Sequence, residues 1–424
     1  MTLRLSLLLA SGAIVIAAAP CRGQRPPSSS EITKLLKAFY VLDHRVAADY
    51  TKQQVILAKL DKVPALDVRK ERAWRKRLIK AQKRRRRIDK KGRNWFWEKD
   101  KRGLYIVGGD ARKPKGLFIG MHGGGVGSGD AWSSHGPFNS PAKKAGWLAI
   151  FPQVLEKTEH GWTTSGTEEF VLEFAERARR TWKIDPDHVY LGGHSMGGYG
   201  TWTLGAHHAD RLAGLAASAG APTPIIDRAR AVIDIEPGVV PNLRNVRLVS
   251  YQSDDDPQVP PDANRMAAKR MAEAKERWGG FDFEYWEESG RGHGAPPGGM
   301  KALIAKVSDS ERNARPDEIV WQPTLPWKRQ FYWLWWDAPK PEALVEAKLD
   351  RTANTVRVTS DAPLTGMYVL LDDELLDLGQ EVVVEANGDE VFRGVPEKSL
   401  AALVSTGATA DLPRTYDVRI PLGR

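Results

Sequence analysis

A glycine-flanked serine, three consecutive aspartates and a histidine on a glycine-rich stretch are the residues that could do chemistry together. Gly193-His194-Ser195-Met196-Gly197 follows the apolar run Val189-Tyr190-Leu191 and precedes a helical stretch at 199–207. The spacing G-x-S-x-G between strand and helix predicts a sharp turn, in which residues two places either side of the serine must lack side chains. Such a turn lifts the hydroxyl clear of the backbone and aims the first N–H groups of the helix at whatever the serine attacks. In a chain with 39 glycines the pentapeptide alone says little. Its place between strand and helix carries the reading.

A serine hydroxyl becomes a nucleophile only when a base takes its proton. After Ser195 the chain offers His207, His208 and His293. The first two lie about three turns along the helix that leaves the serine and cannot fold back. His293, in Gly292-His293-Gly294 just after a predicted strand at 281–286, is the candidate base. It needs a carboxylate to fix its tautomer, and the predicted strand 246–251 runs into Asp254-Asp255-Asp256. Three adjacent carboxylates cannot all be buried, because like charges raise one another's pKa. Asp256 is the candidate acid, with Asp255 and Asp254 as alternates. The oxyanion formed on attack needs fixed N–H donors. Met196 supplies one, and the loop His122-Gly123-Gly124-Gly125 after strand 116–121 the other, Gly124 first and Gly123 second. A phosphate-binding loop is excluded there, since no Lys-Ser/Thr follows. His122 is expected to hold the loop's shape. This chemistry requires no cofactor and no metal.

The elements that must position these residues alternate between short strands and helices over 95–310, which predicts a mainly parallel sheet with crossover helices. Strands are expected at 104–107, 116–121 and 147–151, from 189 into the serine turn, and at 212–218, 246–251 and 281–286, with helices at 165–182 and 261–278. Residues 225–241 break the rhythm and read as a small insertion near the site. Before this body, 31–93 reads as a basic helical region. After it come an aromatic-rich connector at 318–337 and a small β-domain at 338–424, where Asn387-Gly388 predicts a two-residue hairpin. Two or three folding units suit 424 residues.

The order His122-Gly123-Gly124-Gly125, Ser195 in its elbow, Asp256-Pro257-Gln258-Val259-Pro260 and Gly292-His293-Gly294 resembles α/β-hydrolase serine esterases. The run from Ile184 to Trp202 is similar to the secreted polyhydroxybutyrate-depolymerase and feruloyl-esterase branch, and also to prolyl-oligopeptidase-like hydrolases. The resemblance covers roughly 104–303. That branch usually carries cysteines, and this chain departs from it there. What the resemblance implies is an α/β-hydrolase fold and hydrolysis of a carboxylic ester, free or polymer-linked, through an acyl-enzyme on Ser195. A serine peptidase of the prolyl-oligopeptidase type is the alternative enzyme, but nothing before Trp95 looks like its propeller. An envelope polysaccharide-binding or scaffold protein, using the basic region and the tryptophans, is the alternative of another class.

Composition bounds the rest. Arg4 precedes an uncharged run at 5–19 that ends in small residues, so 1–23 reads as an export signal and the protein as secreted or periplasmic. No later apolar run approaches membrane-spanning length. Cys21 is the single cysteine, so neither a disulfide within the mature chain nor a thiolate metal cluster is expected. The net charge is +10, yet 69–93 alone carries +13 and leaves the remainder at −3. The basicity therefore belongs to one segment, which reads as a solvated helix face or an arm packing on the body, with an acidic envelope polymer as the alternative contact; nucleic acid is not expected.

Overall fold

The computed structural model describes residues 25–82, 87–96, 103–407 and 415–423. The expected export signal lies outside them, as does 83–86 of the basic run. The first described elements are three helices, α1 (Ser29–Phe39), α2 (Ala47–Leu60) and α3 (Val68–Gln82). A reciprocal capping box opens α1, with Ser28 accepting from the Glu31 N–H and Glu31 from the Ser28 N–H. The helical region expected at 31–93, with its break at Pro64, thus ends short of residue 93. Residues 93–95 instead form a strand, β1 (Arg93–Trp95), because its backbone pairs antiparallel with the next segment. In α3, Glu71, Trp74 and Leu78 are buried, while Arg69, Arg72, Lys76, Arg77 and Lys80 face outward.

The central sheet is completed by β2 (Leu104–Gly109), β3 (Gly116–Met121), β4 (Trp147–Pro152), β5 (Val189–His194), β6 (Gly214–Ser218), β9 (Arg247–Ser253) and β10 (Phe283–Glu288). Its order is β1-β2-β4-β3-β5-β6-β9-β10. The last six run parallel to one another, and β2 pairs antiparallel with β4. This is the α/β-hydrolase arrangement. Buried strands on a doubly covered sheet read as continuous apolar runs, and β3 and β4 are buried at every position. Between β6 and β9 stands a two-stranded hairpin, β7 (Pro224–Ile226) with β8 (Val232–Ile235).

Side chains alternate between the two faces, as period-2 geometry requires. Leu117, Ile119, Leu191, Leu215 and Leu248 share a core with α5 (Thr167–Trp182), α6 (Met196–His207) and α7 (Asp262–Trp278). Phe118, Ala149, Phe151, Tyr190 and Val249 face α4 (Ala131–Lys144) and α8 (Gly299–Ala305). Sequence reading misses α4, because Pro137 and Pro141 lie inside it and proline argues against a helix interior. Burial of Phe138 and Ala142, with a capping box between Asp130 and Ser133, holds it in place.

The remaining strands build two further sheets. One contains β11 (Glu318–Trp321), β14 (Val345–Asp350), β15 (Thr355–Ser360), β17 (Val382–Ala386) and β18 (Asp389–Gly394). The other contains β12 (Gln330–Phe331), β13 (Leu334–Trp336), β16 (Met367–Leu371) and β19 (Val418–Pro421). Residues 318–337 are therefore part of the C-terminal body rather than a connector to it. Trp321, Trp333, Trp335 and Trp336 are buried, so their rings serve the core and present no sugar-stacking surface. At the predicted hairpin between β17 and β18, Asn387 and Gly388 both take positive φ, 50° and 90°.

A last helix, α9 (Leu400–Gly407), is buried along its whole length and packs with Ile32, Leu36, Ile56, Leu57 and Leu78 of the N-terminal helices. Short helices cannot bury an apolar stripe alone, and α9 supplies the missing partner. The N-terminal region and the C-terminal region thus share one core, where two separate units were expected. Lys398 Nζ ties them further, lying 3.1 Å from Glu71 and 3.3 Å from Asp417.

A buried ionic seam joins the C-terminal body to the sheet. Arg312 pairs with Asp187 at 2.8 Å and Lys328 with Asp210 at 2.6 Å. Beside them the Glu168 carboxylate, 4% exposed, accepts from His207 Nδ1 at 3.1 Å and His208 Nε2 at 3.0 Å, while Thr324 Oγ1 bonds His207 Nε2. Burial raises the Glu168 pKa, but the two imidazoles outweigh it and hold the group down to about 2. Burial pushes His208 down to about 4. Both folded values lie below the ordinary ones. As pH falls from about 6.5, the unfolded chain binds protons that the folded chain refuses, and stability is lost, by about 3 kcal/mol through His208 alone. The unfolding temperature should therefore fall steadily from pH 7 to pH 4. A melting temperature level across the range would refute the expectation.

Candidate active site

Ser195 stands at the carboxyl end of β5, the central position of the sheet, with φ 61° and ψ −123°. That strained conformation persists because the surroundings over-determine it. The Ser195 N–H donates to the Ser218 carbonyl at 2.8 Å. A Cβ on Gly193 would meet the Gly197 carbonyl group at 2.5 Å, and one on Gly197 would lie 2.3 Å from the Met121 oxygen. Backbone crowds the turn from both sides, which is why the motif tolerates only glycine there.

Two loops from later strands converge on the serine. His293 Nε2 lies 2.8 Å from Ser195 Oγ, and His293 Nδ1 lies 2.7 Å from Asp256 Oδ2. A carboxylate can only accept, so Nδ1 carries the proton and Nε2 is left to accept from the hydroxyl. The Asp256 side chain is buried. Burial pushes its pKa up, but the Val259 and Gln258 N–H groups and His293 outweigh burial and hold it below the usual carboxylate value. Asp254 and Asp255 have a different task. Asp255 Oδ1 accepts from the Ser253 hydroxyl and the Gly292 N–H, and Asp254 Oδ2 from the Ser289 hydroxyl. One aspartate faces the imidazole, and the other two brace the glycine-rich loop that carries it.

The glycine loop after β3 flanks the opposite side. A Cβ on Gly123 would be 3.1 Å from Ser195 Cβ, so this residue lies against Ser195. Gly124 takes φ 133°, and a Cβ there would lie 2.7 Å from the Ser128 carbonyl oxygen. Among the described residues no protein acceptor meets the N–H of either glycine. Met196 opens α6, so its N–H has no intrahelical acceptor. His122 is fully buried and neutral in its surroundings: Nδ1 donates to the Gly123 carbonyl at 2.8 Å and Nε2 accepts from the Val154 N–H at 3.2 Å. Burial lowers its pKa. It clamps the loop and stands away from proton transfer.

Several residues at the site carry no sequence signal. Gln252 Nε2 donates to Asp256 Oδ2, and Asn264 Nδ2 holds Gln252 in turn, forming a buried amide chain behind the acid. Tyr199, one turn past the serine, hydrogen-bonds Thr163 at 3.0 Å and packs edge-on against His160. Polar residues of this kind occupy variable positions with no periodicity, and only the fold brings them together. A cavity of about 890 Å³ lies elsewhere, between the α1–α2 turn, α5 and residues 327–335, and none of Ser195, Asp256 or His293 lines it. The arrangement can generate an alkoxide-like nucleophile beside backbone donors, with one base poised to take and return a proton.

No family model matches the chain. Over 135 residues it is 31% identical to the NocK protein of Nocardia uniformis subsp. tsuyamanensis, whose esterase designation is itself provisional. The match covers 28% of this chain, and the chain spans 38% of the length of that relative. Among solved structures, a thermostable esterase aligns with TM-score 0.37 at 18% identity, over 50% of this chain and 60% of that one. The acetyl xylan esterase from Aspergillus awamori aligns with TM-score 0.35 at 12% identity, over 48% and 93%. A ferulic acid esterase from the anaerobic fungus Anaeromyces mucronatus aligns with TM-score 0.36 at 15% identity, over 51% and 88%. Scores this low carry no argument about function, and the fold stands on its own sheet order and register.

Proposed function

We propose that this protein is an exported serine hydrolase that cleaves carboxylic esters. The observation that carries the proposal is the continuous line Ser195 Oγ, His293, Asp256, with contacts of 2.8 and 2.7 Å. Ser195 Oγ attacks the ester carbonyl carbon while its proton passes to His293 Nε2. The imidazolium, steadied by Asp256, returns that proton to the departing alcohol oxygen, leaving the acyl group on Ser195. Water then enters, loses a proton to His293 and attacks the acyl carbonyl, and the proton returns to Ser195 Oγ as the carboxylic acid leaves. The N–H groups of Met196 and of Gly124 or Gly123 hold the oxyanion in both halves. Export rests on the sequence at 4–19. Among the described residues no helix is long and apolar enough to cross a membrane. The outward cations of α3 are the surface we assign to an acidic envelope polymer, which would keep the enzyme near a polymer-linked ester.

Labelling with a fluorophosphonate, followed by a panel of acetyl, feruloyl, hydroxybutyryl and proline-containing peptide substrates, tests the reading. The expected result is a single label on Ser195 and turnover of at least one ester. Turnover of the peptides alone would make it a peptidase, and polymer binding without label or turnover would make it a binding protein.

A further inference from the structure

We propose that His194 is a positioning residue for the base: its ring ties Ser218 of β6 to the loop that carries His293 and sets the tilt of that imidazole. The proposal rests on the Ser195–His293 reading above and goes beyond it. His194 Nδ1 lies 3.1 Å from Ser218 Oγ. The same ring also packs against His293. Its face lies 5.0 Å from the His293 ring at an interplanar angle of 48°. Ser218 is fully buried, and its carbonyl holds the Ser195 N–H at 2.8 Å. One residue of β6 therefore grips the nucleophile through its backbone and, through His194, the base.

The loop needs such a strut. It carries Gly290 and Gly292 at positive φ, and a Cβ at either would meet nothing within 4 Å. Asp254 and Asp255 brace its outer side, and His194 braces the side that faces the serine. The strut must also stay uncharged, since a cation there would oppose the imidazolium that forms on His293 in the attack. The charged and titratable groups facing it are His293 and Asp256. Burial first, and then His293, push the ring down to about 4. A neutral imidazole keeps one acceptor and one donor, and Ser218 Oγ engages Nδ1 at 3.1 Å while the ring stays packed on His293.

Steady-state kinetics of His194→Ala and His194→Gln on a short aryl ester between pH 5 and 9, with melting temperatures, test this. His194→Ala should lower kcat roughly ten- to hundred-fold with KM little changed, as a small misplacement of a catalytic group does. It should also move the acidic limb of the pH profile, which reports the base. His194→Gln offers an acceptor and a donor and should recover most of the loss. A wild-type kcat and unshifted limb in His194→Ala would overturn the proposal, as would a glutamine variant as impaired as alanine at unchanged melting temperature. Should His194→Ala fail to fold, Ser218→Ala removes the same hydrogen bond and should show the same direction of shift; an unmoved limb there overturns the proposal. Failure of the wild type to take the fluorophosphonate would sink the serine reading itself. Labelling of wild type and His194→Ala at equal rates would sink only the role of His194.

Discussion

Ser195→Ala should lower kcat for a short aryl ester by roughly a million-fold and leave the fold intact. The size follows from the geometry. His293 Nε2 has no other proton to take within the 2.8 Å contact, so base and acid become idle together when Oγ is removed. What remains is rate supplied by the backbone donors and by substrate binding, on the order of a thousand-fold or more over water. The fold should survive, because the contact that anchors the serine is its N–H on the Ser218 carbonyl, which alanine keeps. Alanine also inherits the same φ of 61°, so strain is unchanged. Circular dichroism and melting temperature should match the wild type, and fluorophosphonate labelling should vanish. Retained hydrolysis in this variant would remove Ser195 from the mechanism.

Asp256→Asn should cost about ten-thousand-fold in kcat, and the surroundings dictate why. Asp256 Oδ1 accepts from the Gln258 and Val259 N–H groups at 2.9 and 3.0 Å. An asparagine must present its carbonyl oxygen to those donors, which points its NH₂ at His293 Nδ1. Nδ1 then has to accept, the proton moves to Nε2, and the base faces Ser195 Oγ with a donor where an acceptor is needed. The same NH₂ also meets Gln252 Nε2, a donor that then keeps only the Ser253 and Val259 carbonyls as acceptors. Asp255→Asn and Asp254→Asn alter contacts to Ser253 and to the loop at 289–292 and none to the His293 ring, so their losses should stay within about ten-fold, the scale of a modest misplacement. Measuring kcat/KM for all three variants in parallel decides the matter. A loss at Asp255 equal to that at Asp256 would move the acid to the neighbouring residue.

Local steric rules made part of this protein legible in sequence. The strand, turn and helix around Ser195 follow from glycines that must clear the Met121 and Gly197 backbone, and continuous apolar runs announce strands buried on both faces. That the loops carrying Ser195, Asp256 and His293 would meet was legible too, because parallel strands return their carboxyl ends to one edge of a sheet. The three aspartates were readable only as a set. Like-charge repulsion says that they cannot share one environment, but the loop at 289–292 decides which one turns inward. Where proline or a charge run masked the signal, local reading went astray. Pro137 and Pro141 hid α4, and the basic run made the stretch up to Arg93 look helical although residues 93–95 form a strand.

Tertiary structure decided what no local pattern encodes. Trp321, Trp333 and Trp336 look like a connector or a binding surface until strand pairing buries them. The N-terminal helices and α9 are separated by more than three hundred residues and share one core, because neither can bury its apolar face alone. His194 is the clearest case. In sequence it fills a variable position of a five-residue motif. In the fold it stands between Ser218 and His293, since β5 and β6 are neighbours and a loop from beyond β10 descends onto both. Chain-local sterics determined where the nucleophile stands, while long-range packing, which alone can satisfy buried polar groups, decided what holds its partners in reach.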